Sequence, residues 1–307
     1  MSPAEPAAAD PDRPDPSPAS PAPTSADPST GRGPRASTVA LARSEIGLLF
    51  RRWRTWAMLA ALAAVPVLIG LAVRFSPGRA ASGRGPTFLD QVTHNGLFAG
   101  VVGLVVSMPL FLPLTVGVAA GDTIAGEASL GTLRYLLAAP AGRVRLLVVK
   151  YAATVVFCAA AALAVVAGGV LVGVTLFPLG SATLLSGTAV GPVEALGRLL
   201  LMAGYVTVSL LGLAAIGLFA STLTTVPVGA MAATIVLAVV SQVLGSLDQL
   251  DWLHPWLFTD HWLDVADLLR EPIAWGSFGQ NALLQAGYVA LFGALAYGRF
   301  TTKDILS

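Results

Sequence analysis

Long apolar runs alternate with short polar stretches along most of the chain. Six of these runs approach or exceed the ~20 apolar residues that a helix needs to cross a membrane core. They are Ala57–Val73, Gly96–Ala120, Leu146–Leu176, Ala195–Ala220, Val226–Leu247 and Asn281–Tyr297. The pattern predicts an all-α, polytopic membrane protein with six transmembrane helices. Four prolines are expected to kink these helices or to lie at their ends: Pro66, Pro109, Pro113 and Pro227.

The N-terminal region differs from the rest of the chain. Residues 1–37 are mostly Pro, Ala, Ser and Asp, which cannot bury enough apolar surface to fold, so they predict a disordered cytoplasmic tail. Residues 38–307 then form the transmembrane domain. Thr38–Trp56 mixes apolar residues with arginines, which predicts an interfacial amphipathic helix. Arg51-Arg52 before an apolar run also fits a twin-arginine export signal, but the five runs that follow favour the interfacial helix.

A second unusual segment, Asp248–Gln280, is too polar to span and too rich in tryptophan for an ordinary loop. It predicts short helices on or in the outer leaflet. Its aspartates and histidines are residue types that bind metals, but they form no ligand motif such as H-E-x-x-H. The interfacial interpretation is therefore preferred, and no metal site is predicted.

The polar stretch Gly121–Lys150 lies between the second and third runs. Its spacing predicts a short helix from about Asp122 to Ala138, with Asp122 near the positive N-terminal end. Pro140 cannot continue that helix. The stretch carries an ordered set of residues at fixed spacing: Glu127, Gly131-Thr132-Leu133, Leu136-Leu137, Pro140, Arg143 and Lys150.

This ordered set resembles the first cytoplasmic loop of type-2 ATP-binding-cassette (ABC) permeases, the six-helix membrane subunits of many bacterial exporters. Ala128 departs from the pattern, since many relatives carry an arginine there. The resemblance implies a cytoplasmic coupling helix in loop 121–145 that contacts a separate ATPase, with Glu127 and Arg134 as charged contacts. The implied coupling residues are Asp122, Glu127, Gly131, Thr132, Arg134, Pro140 and Arg143.

The same resemblance implies an assembly of two permeases and two ABC-type ATPase subunits in a bacterial-type plasma membrane. The second permease is either another copy of this chain or a paralogue. ATP and Mg are then expected on the partner ATPase, and this chain is expected to hold no cofactor. Closure of the ATPases on ATP would push the coupling helix and rock the permease halves between inward and outward access.

Composition supports a membrane protein and excludes several functions. The chain is 55% hydrophobic and 11% charged, against about a quarter charged in soluble domains. Its formal net charge of +1 gives no argument for nucleic-acid binding, and its single cysteine, Cys158, allows no internal disulfide. The sequence has no G-x-x-x-x-G-K-[ST] phosphate loop, so no ATPase site and no enzymatic activity of its own are expected.

Charge also bears on orientation and mechanism. With the N-terminus inside, thirteen of the eighteen Lys and Arg residues lie on the inner side, which predicts both termini in the cytoplasm. The six runs contain no Asp or Glu, which disfavours a proton-coupled transporter or an intramembrane aspartyl protease. Two alternatives to an ABC permease stay open: a non-transporting membrane scaffold or assembly factor, and an ATP-independent secondary transporter.

Overall fold

The chain is described from a computed structural model, which covers residues 34–75, 95–131, 143–178, 180, 182–183 and 186–302. Within these residues the fold is helical, with nine α-helices and one small hairpin. The helices are α1 (Pro34–Arg51), α2 (Trp53–Phe75), α3 (Phe98–Ser107), α4 (Phe111–Ser129), α5 (Arg143–Leu176), α6 (Pro192–Ser209), α7 (Leu211–Leu223), α8 (Pro227–Gly245) and α9 (Trp275–Thr302). The hairpin pairs β1 (Ala182–Thr183) with β2 (Ala189–Val190), Ala182 opposite Val190.

The helices make this a multi-pass membrane protein, as predicted, with four or five candidate spans. Four segments are long and apolar enough to cross a membrane: α2, α5 from Val144 onward, α6 together with α7, and α8. The bent pair α3 and α4 adds a fifth if it forms one span. Six spans are not found by these criteria, because α9, which contains the last predicted run, is not among them in the described part of the chain.

Helices α3 and α4 run the length of α5, as one broken span should. At one end, the Gly96 amide donates to the Pro178 carbonyl at 3.1 Å, and a Cβ on Gly96 would overlap the backbone of Gly173. At the other end, Glu127 contacts Lys150. Lys150 and Gly173 are separated by roughly 35 Å of helix, about the thickness of a membrane core. We name each end of the bundle after a residue that lies there. The end with the Glu127–Lys150 contact is the Lys150 end, and the opposite end is the Arg198 end, after Arg198 of α6.

Three of the four prolines lie at a bend or at the start of a helix, and the fourth lies inside a helix. Pro109 lies at the 58° bend between α3 and α4, Pro113 in the first turn of α4, and Pro227 at the first position of α8. A proline at these places loses no intrahelical hydrogen bond. Pro66 lies inside α2, which continues through it from Trp53 to Phe75. Gln242 donates to the Pro109 carbonyl at 2.7 Å and so satisfies a group exposed by the bend.

The fourth predicted run is interrupted at Leu210, where there is no proline and the next glycine, Gly212, follows two residues later. Three side chains bond the backbone groups beside this interruption. Trp262 donates to the Ser209 carbonyl at 3.0 Å, Tyr151 donates to the Leu211 carbonyl at 3.1 Å, and the Gln285 oxygen accepts from the Gly212 amide at 3.1 Å. The break is therefore stabilised by residues of three other segments.

The core surrounds α5 and depends on close backbone approach. A Cβ on Gly168 would overlap the backbone of Ala63 in α2, and a Cβ on Gly169 would overlap Gly100 in α3. These small residues let α2 and α3 pack directly against α5. The large buried side chains around them are Leu62, Leu104, Phe157, Val165, Met202, Tyr205 and Leu213. By contrast, α8 is mostly exposed, since only 22% of its apolar stretch is buried.

The tryptophan-rich segment forms three 3-10 helices, which confirms the prediction of short helices. They are Asp248–Leu250, His254–Trp256 and Asp260–Leu269. Trp262 and Val265 of the longest one are buried against the core, and the Tyr205 hydroxyl donates to the His261 carbonyl at 2.6 Å. The segment is thus anchored to α6 as well as to α9.

The N-terminal helix is present but differs from its predicted bounds. Helix α1 begins at Pro34, inside the stretch assigned to the tail, and ends at Arg51. Thr55 donates to the Leu49 carbonyl at 2.6 Å and Trp56 to the Phe50 carbonyl at 2.8 Å, so side chains of α2 cap the last turn of α1. The rest of the predicted tail, residues 1–33, lies outside the described residues.

Gly169→Leu should lower the thermal midpoint of the detergent-solubilised protein. The added side chain has to displace the backbone of Gly100, and overpacking of this kind costs about 1–3 kcal/mol or more. Gly204→Leu is the matched control, because no heavy atom lies within 4 Å of its Cβ position in α6. Equal midpoints for the two variants, measured by fluorescence-detected size exclusion after heating, would show that the α3–α5 contact is not tight.

Candidate functional site

A buried lysine joins three helices at one end of the bundle. Lys150 lies in the second turn of α5, and its side chain is only 4% exposed. Its ammonium group lies 2.5 Å from a Glu127 oxygen of α4 and 3.4 Å from a Glu45 oxygen of α1. Because an unpaired buried charge is very unfavourable, Lys150 holds both carboxylates in place.

A second set of ionic contacts lies beside the first. Asp122 is two turns before the end of α4, and its carboxylate lies 3.0 Å from an Arg52 nitrogen and 3.6 Å from an Arg54 nitrogen. Arg52 connects α1 with α2, and Arg54 belongs to α2. Both arginines are about half exposed, whereas the Asp122 side chain is 15% exposed. These pairs contribute less than the Lys150 pairs because water screens the arginines.

Together these six residues form one group, which we call the Lys150 cluster: Glu45, Arg52, Arg54, Asp122, Glu127 and Lys150. A cavity of about 80 Å³ lies among them, and its apolar wall includes Leu49, Met58 and Phe157. Three acidic and three basic side chains balance each other, so the cluster is formally neutral. Its effect is to connect α1, α2, α4 and α5 at one end of the bundle.

Helix α4 ends just beyond the cluster. Gly131 has φ of +70°, a left-handed conformation that suits glycine after a helix, and its amide bonds the Ala128 carbonyl at 3.1 Å. Within the helix, the Ser221 hydroxyl of α7 accepts from the amides of Ile124 and Ala125 at 2.9 and 2.8 Å. The last turns of α4 are therefore fixed to α7 as well as to the Lys150 cluster.

This geometry corrects the prediction of a separate helix from Asp122 to Ala138. Asp122 and Glu127 belong to α4, which continues past the predicted run boundary at Ala120 to Ser129. Asp122 therefore lies in the C-terminal part of a helix and not near an N-terminal end. The helix can continue because Lys150 and the arginines compensate its two carboxylates, so the polar residues do not force the chain out of the bundle.

The structure describes four of the seven predicted coupling residues. Asp122 and Glu127 lie together in the Lys150 cluster, Gly131 ends α4, and Arg143 is the first residue of α5. The other three lie outside the described residues: Thr132, Arg134 and Pro140. Glu127 points toward Lys150, so its side chain is engaged within the chain.

Sequence reasoning missed three members of the cluster: Glu45, Arg52 and Arg54. Glu45 is 105 residues from Lys150, and no local spacing relates the two. One signal was available, because a lysine at the edge of an apolar run needs a carboxylate partner from elsewhere in the chain. That signal predicts a partner but not which one.

The Arg198 end has its own buried cation. The Arg198 side chain is 8% exposed and lies 2.9 Å from a Glu194 oxygen and 3.5 Å from a Glu271 oxygen. It also donates to the Leu268 and Arg270 carbonyls at 3.3 and 2.9 Å. Arg198 thereby anchors the end of the last 3-10 helix to α6.

No group of three or more His, Cys, Asp or Glu residues that could hold a metal ion occurs in the described ranges. His261 bonds Asp264 at 2.8 Å, and His254 lies 3.7 Å from Asp251, so the two histidines pair with separate carboxylates. The site with the densest charge pairing is thus the Lys150 cluster. It can hold helices together and transmit displacement between them.

Residues 78–306 match the family model described as a protein of unknown function, DUF2705, and the chain belongs to that family. No curated protein matches the sequence. The match begins after α2 and includes α3 to α9, so it contains Asp122, Glu127 and Lys150 of the cluster.

Lys150→Met should destabilise the protein by about 3 kcal/mol, because it leaves two largely buried carboxylates facing each other. Adding Glu127→Gln to this variant should restore part of the loss, since one of the two repelling charges is removed. Both effects are measured as shifts in the thermal midpoint. The control is Arg43→Met, which removes an exposed cation of α1. Additive effects of the two cluster substitutions would contradict direct pairing of Lys150 with Glu127.

Proposed function

We propose that this member of the DUF2705 family is the membrane subunit of an ABC exporter, coupled to a separate ATPase through residues 121–145. The observation that carries the proposal is the Lys150 cluster. The ordered residues that resemble an ABC permease loop run from Glu127 to Lys150, and these two residues form the closest ion pair of the cluster. The loop is thus bounded on both sides by residues that are bonded to each other.

Such an arrangement suits a coupling element. A push on the loop would act on α4 and α5 together, because Glu127 and Lys150 prevent them from separating. It would also reach α1 through Glu45 and α2 through Asp122 and its arginines. In this proposal Asp122 and Glu127 are positioning residues. Contact with the ATPase is assigned to Gly131, Thr132, Arg134, Pro140 and Arg143.

The proposal includes a sixth span, α9. Near its start, Ser277 donates to Asp267 at 2.9 Å, which belongs to the segment anchored by Arg198. Near its end, Ala296 is buried with Leu146 of α5 and Ile124 of α4, at the Lys150 end. The 20 residues from Ser277 to Ala296 extend roughly 28 Å as a helix. This length suits a span that crosses beside α7.

The distribution of basic residues supports an orientation with the Lys150 end in the cytoplasm. The described basic residues of that end include Arg43, Arg51, Arg52, Arg54, Arg145, Lys150 and Arg299, whereas those of the opposite end are Arg74, Arg198 and Arg270. Both termini would then be cytoplasmic in a bacterial-type plasma membrane. ATP and Mg would bind the ATPase, and a second permease, either identical or a paralogue, would complete the pathway.

Glu127→Gln should reduce ATP turnover several-fold in the complex of the full chain with its co-purifying ABC-type ATPase. The substitution keeps the shape of the side chain but weakens its hold on Lys150, so less displacement passes between α4 and α5. The measurement is phosphate release by the complex in lipid vesicles, at equal amounts of both subunits. This measurement follows ATP hydrolysis and not export, so the cargo does not have to be known.

Glu194→Gln is the matched control, since it weakens the corresponding contact with Arg198 at the opposite end. It should leave ATP turnover unchanged. Failure of any ATPase to co-purify would favour a scaffold, and flux driven by an ion gradient alone would favour a secondary transporter. Equal loss in both variants would show that Glu127 has no special part in coupling.

Cysteine labelling tests the orientation. The single cysteine of the chain, Cys158, is fully buried and should not react, so only an introduced cysteine is labelled. Ser186 lies beside the hairpin at the Arg198 end, so the variant Ser186→Cys should react with a membrane-impermeant maleimide on intact cells. Ser44→Cys in α1, beside Glu45, should react only after the membrane is permeabilised. Both serines are exposed, so access to the reagent and not burial decides the result. The reverse labelling pattern would invert the proposed topology.

A further inference from the structure

A large apolar groove runs along the outside of α9. Its volume is about 980 Å³, at the upper end of the range for small-molecule sites. Its apolar wall consists of Trp256, Leu283, Leu284, Tyr288, Leu291 and Phe292. Leu283 is 77% exposed and Trp256 is 70% exposed, so the groove is open to whatever surrounds the bundle.

Hydrogen bonds between the groove's two sides fix its shape. The Tyr288 hydroxyl donates to the Trp256 carbonyl at 2.7 Å, and the Gln285 amide donates to the Phe258 carbonyl at 2.8 Å. Both bonds join α9 to the segment of 3-10 helices. The Gln285 side chain is completely buried, so at least this bond is protected from water.

The groove is polar at one end only. Asp260, His261 and Gln280 lie on the side of the Arg198 end, while Leu291 and Phe292 lie further along α9, near Ala296 at the Lys150 end. From Leu283 to Phe292 the apolar wall extends roughly 14 Å along the helix. A molecule that fits this shape has a polar head on the side of the Arg198 end and a hydrocarbon tail that runs along α9 toward the Lys150 end.

Charge selects the head group. None of the described residues that line the groove is Lys or Arg. From Asp248 to Glu271 the sequence has six acidic residues and one arginine, Arg270, which pairs with Asp267 at 2.9 Å. Arg198 of α6 lies 3.5 Å from Glu271, and His261 lies 3.9 Å from Asp260. Burial raises the pKa of the Asp260 carboxyl above its ordinary value, and a neighbouring cation would stabilise the ionised form. The exposed Trp256 ring offers a cation–π contact in addition.

We propose that this groove binds a single-chain cationic amphiphile taken up from the surrounding membrane, with its head at Asp260 and its tail along Leu283–Phe292. The inference is independent of the proposed exporter function, since binding requires neither an ATPase nor transport. The ligand would reach the groove sideways from the lipid, because one row of lining residues on α9 is exposed: Gln280, Leu283, Gly287 and Leu291.

The test is equilibrium dialysis of radiolabelled dodecyltrimethylammonium against the full chain in phosphatidylcholine nanodiscs, with binding to empty nanodiscs subtracted. Saturable binding of about one molecule per chain is expected. Gly287→Leu should weaken binding at least tenfold, because it adds a side chain inside the groove where no heavy atom lies within 4 Å of the Cβ position. Gly279→Leu, an open position of the same helix outside the groove, should bind as the parent chain does.

A second arm tests the head group. Asp260→Asn should weaken binding of dodecyltrimethylammonium about tenfold but leave binding of uncharged dodecanol unchanged. Equal binding of both amphiphiles to the parent chain would overturn the choice of a cation. If Gly287→Leu left binding intact but changed the oligomeric state, a second copy of the chain would be the occupant instead, and the proposal would be wrong.

Discussion

A membrane interior offers no hydrogen-bond partners to a peptide group, so each interruption of a helix there has to be satisfied by the chain itself. This constraint explains the placement of several polar side chains. Gln242 meets the carbonyl left at the Pro109 bend, while Trp262 and Gln285 meet the groups beside Leu210. The segment of 3-10 helices is therefore more than a surface cover. Its Trp262 is part of what allows the fourth run to break.

The same reasoning applies to charge. Among the described residues two cations are buried, Lys150 and Arg198. They lie at opposite ends of the bundle, and each has two carboxylate partners. Each cation connects elements that are distant in sequence: Lys150 reaches back to α1, and Arg198 reaches forward to Glu271. Polar side chains thus join elements that are distant in sequence. Small residues such as Gly168 and Gly169 let neighbouring helices pack closely.

The sequence predicted what depends on local pattern. Hydropathy located the apolar runs, because apolar length is a property of consecutive residues, and Pro109 signalled the bend between α3 and α4. The interruption at Leu210 carried no such signal, since no proline lies there and Gly212 is one of many glycines in the apolar runs. The partners of Lys150 could not be found either, because Glu45 lies 105 residues away and only the folded chain brings it near. The predicted end of α4 at Ala120 was wrong for the same reason, because the partners of Asp122 and Glu127 are distant in sequence.

Helix α5 differs from its neighbours in one respect. At 34 residues it is the longest helix that the structure describes, while the span formed by α3 with α4 is bent by 58° and α6 is separated from α7 at Leu210. An unbroken helix resists bending, whereas a broken one can pivot at its interruption. Helix α5 would therefore stay rigid between the two faces of the membrane. A change of shape would consist of bent or interrupted helices, such as α3 with α4, changing their angle relative to α5.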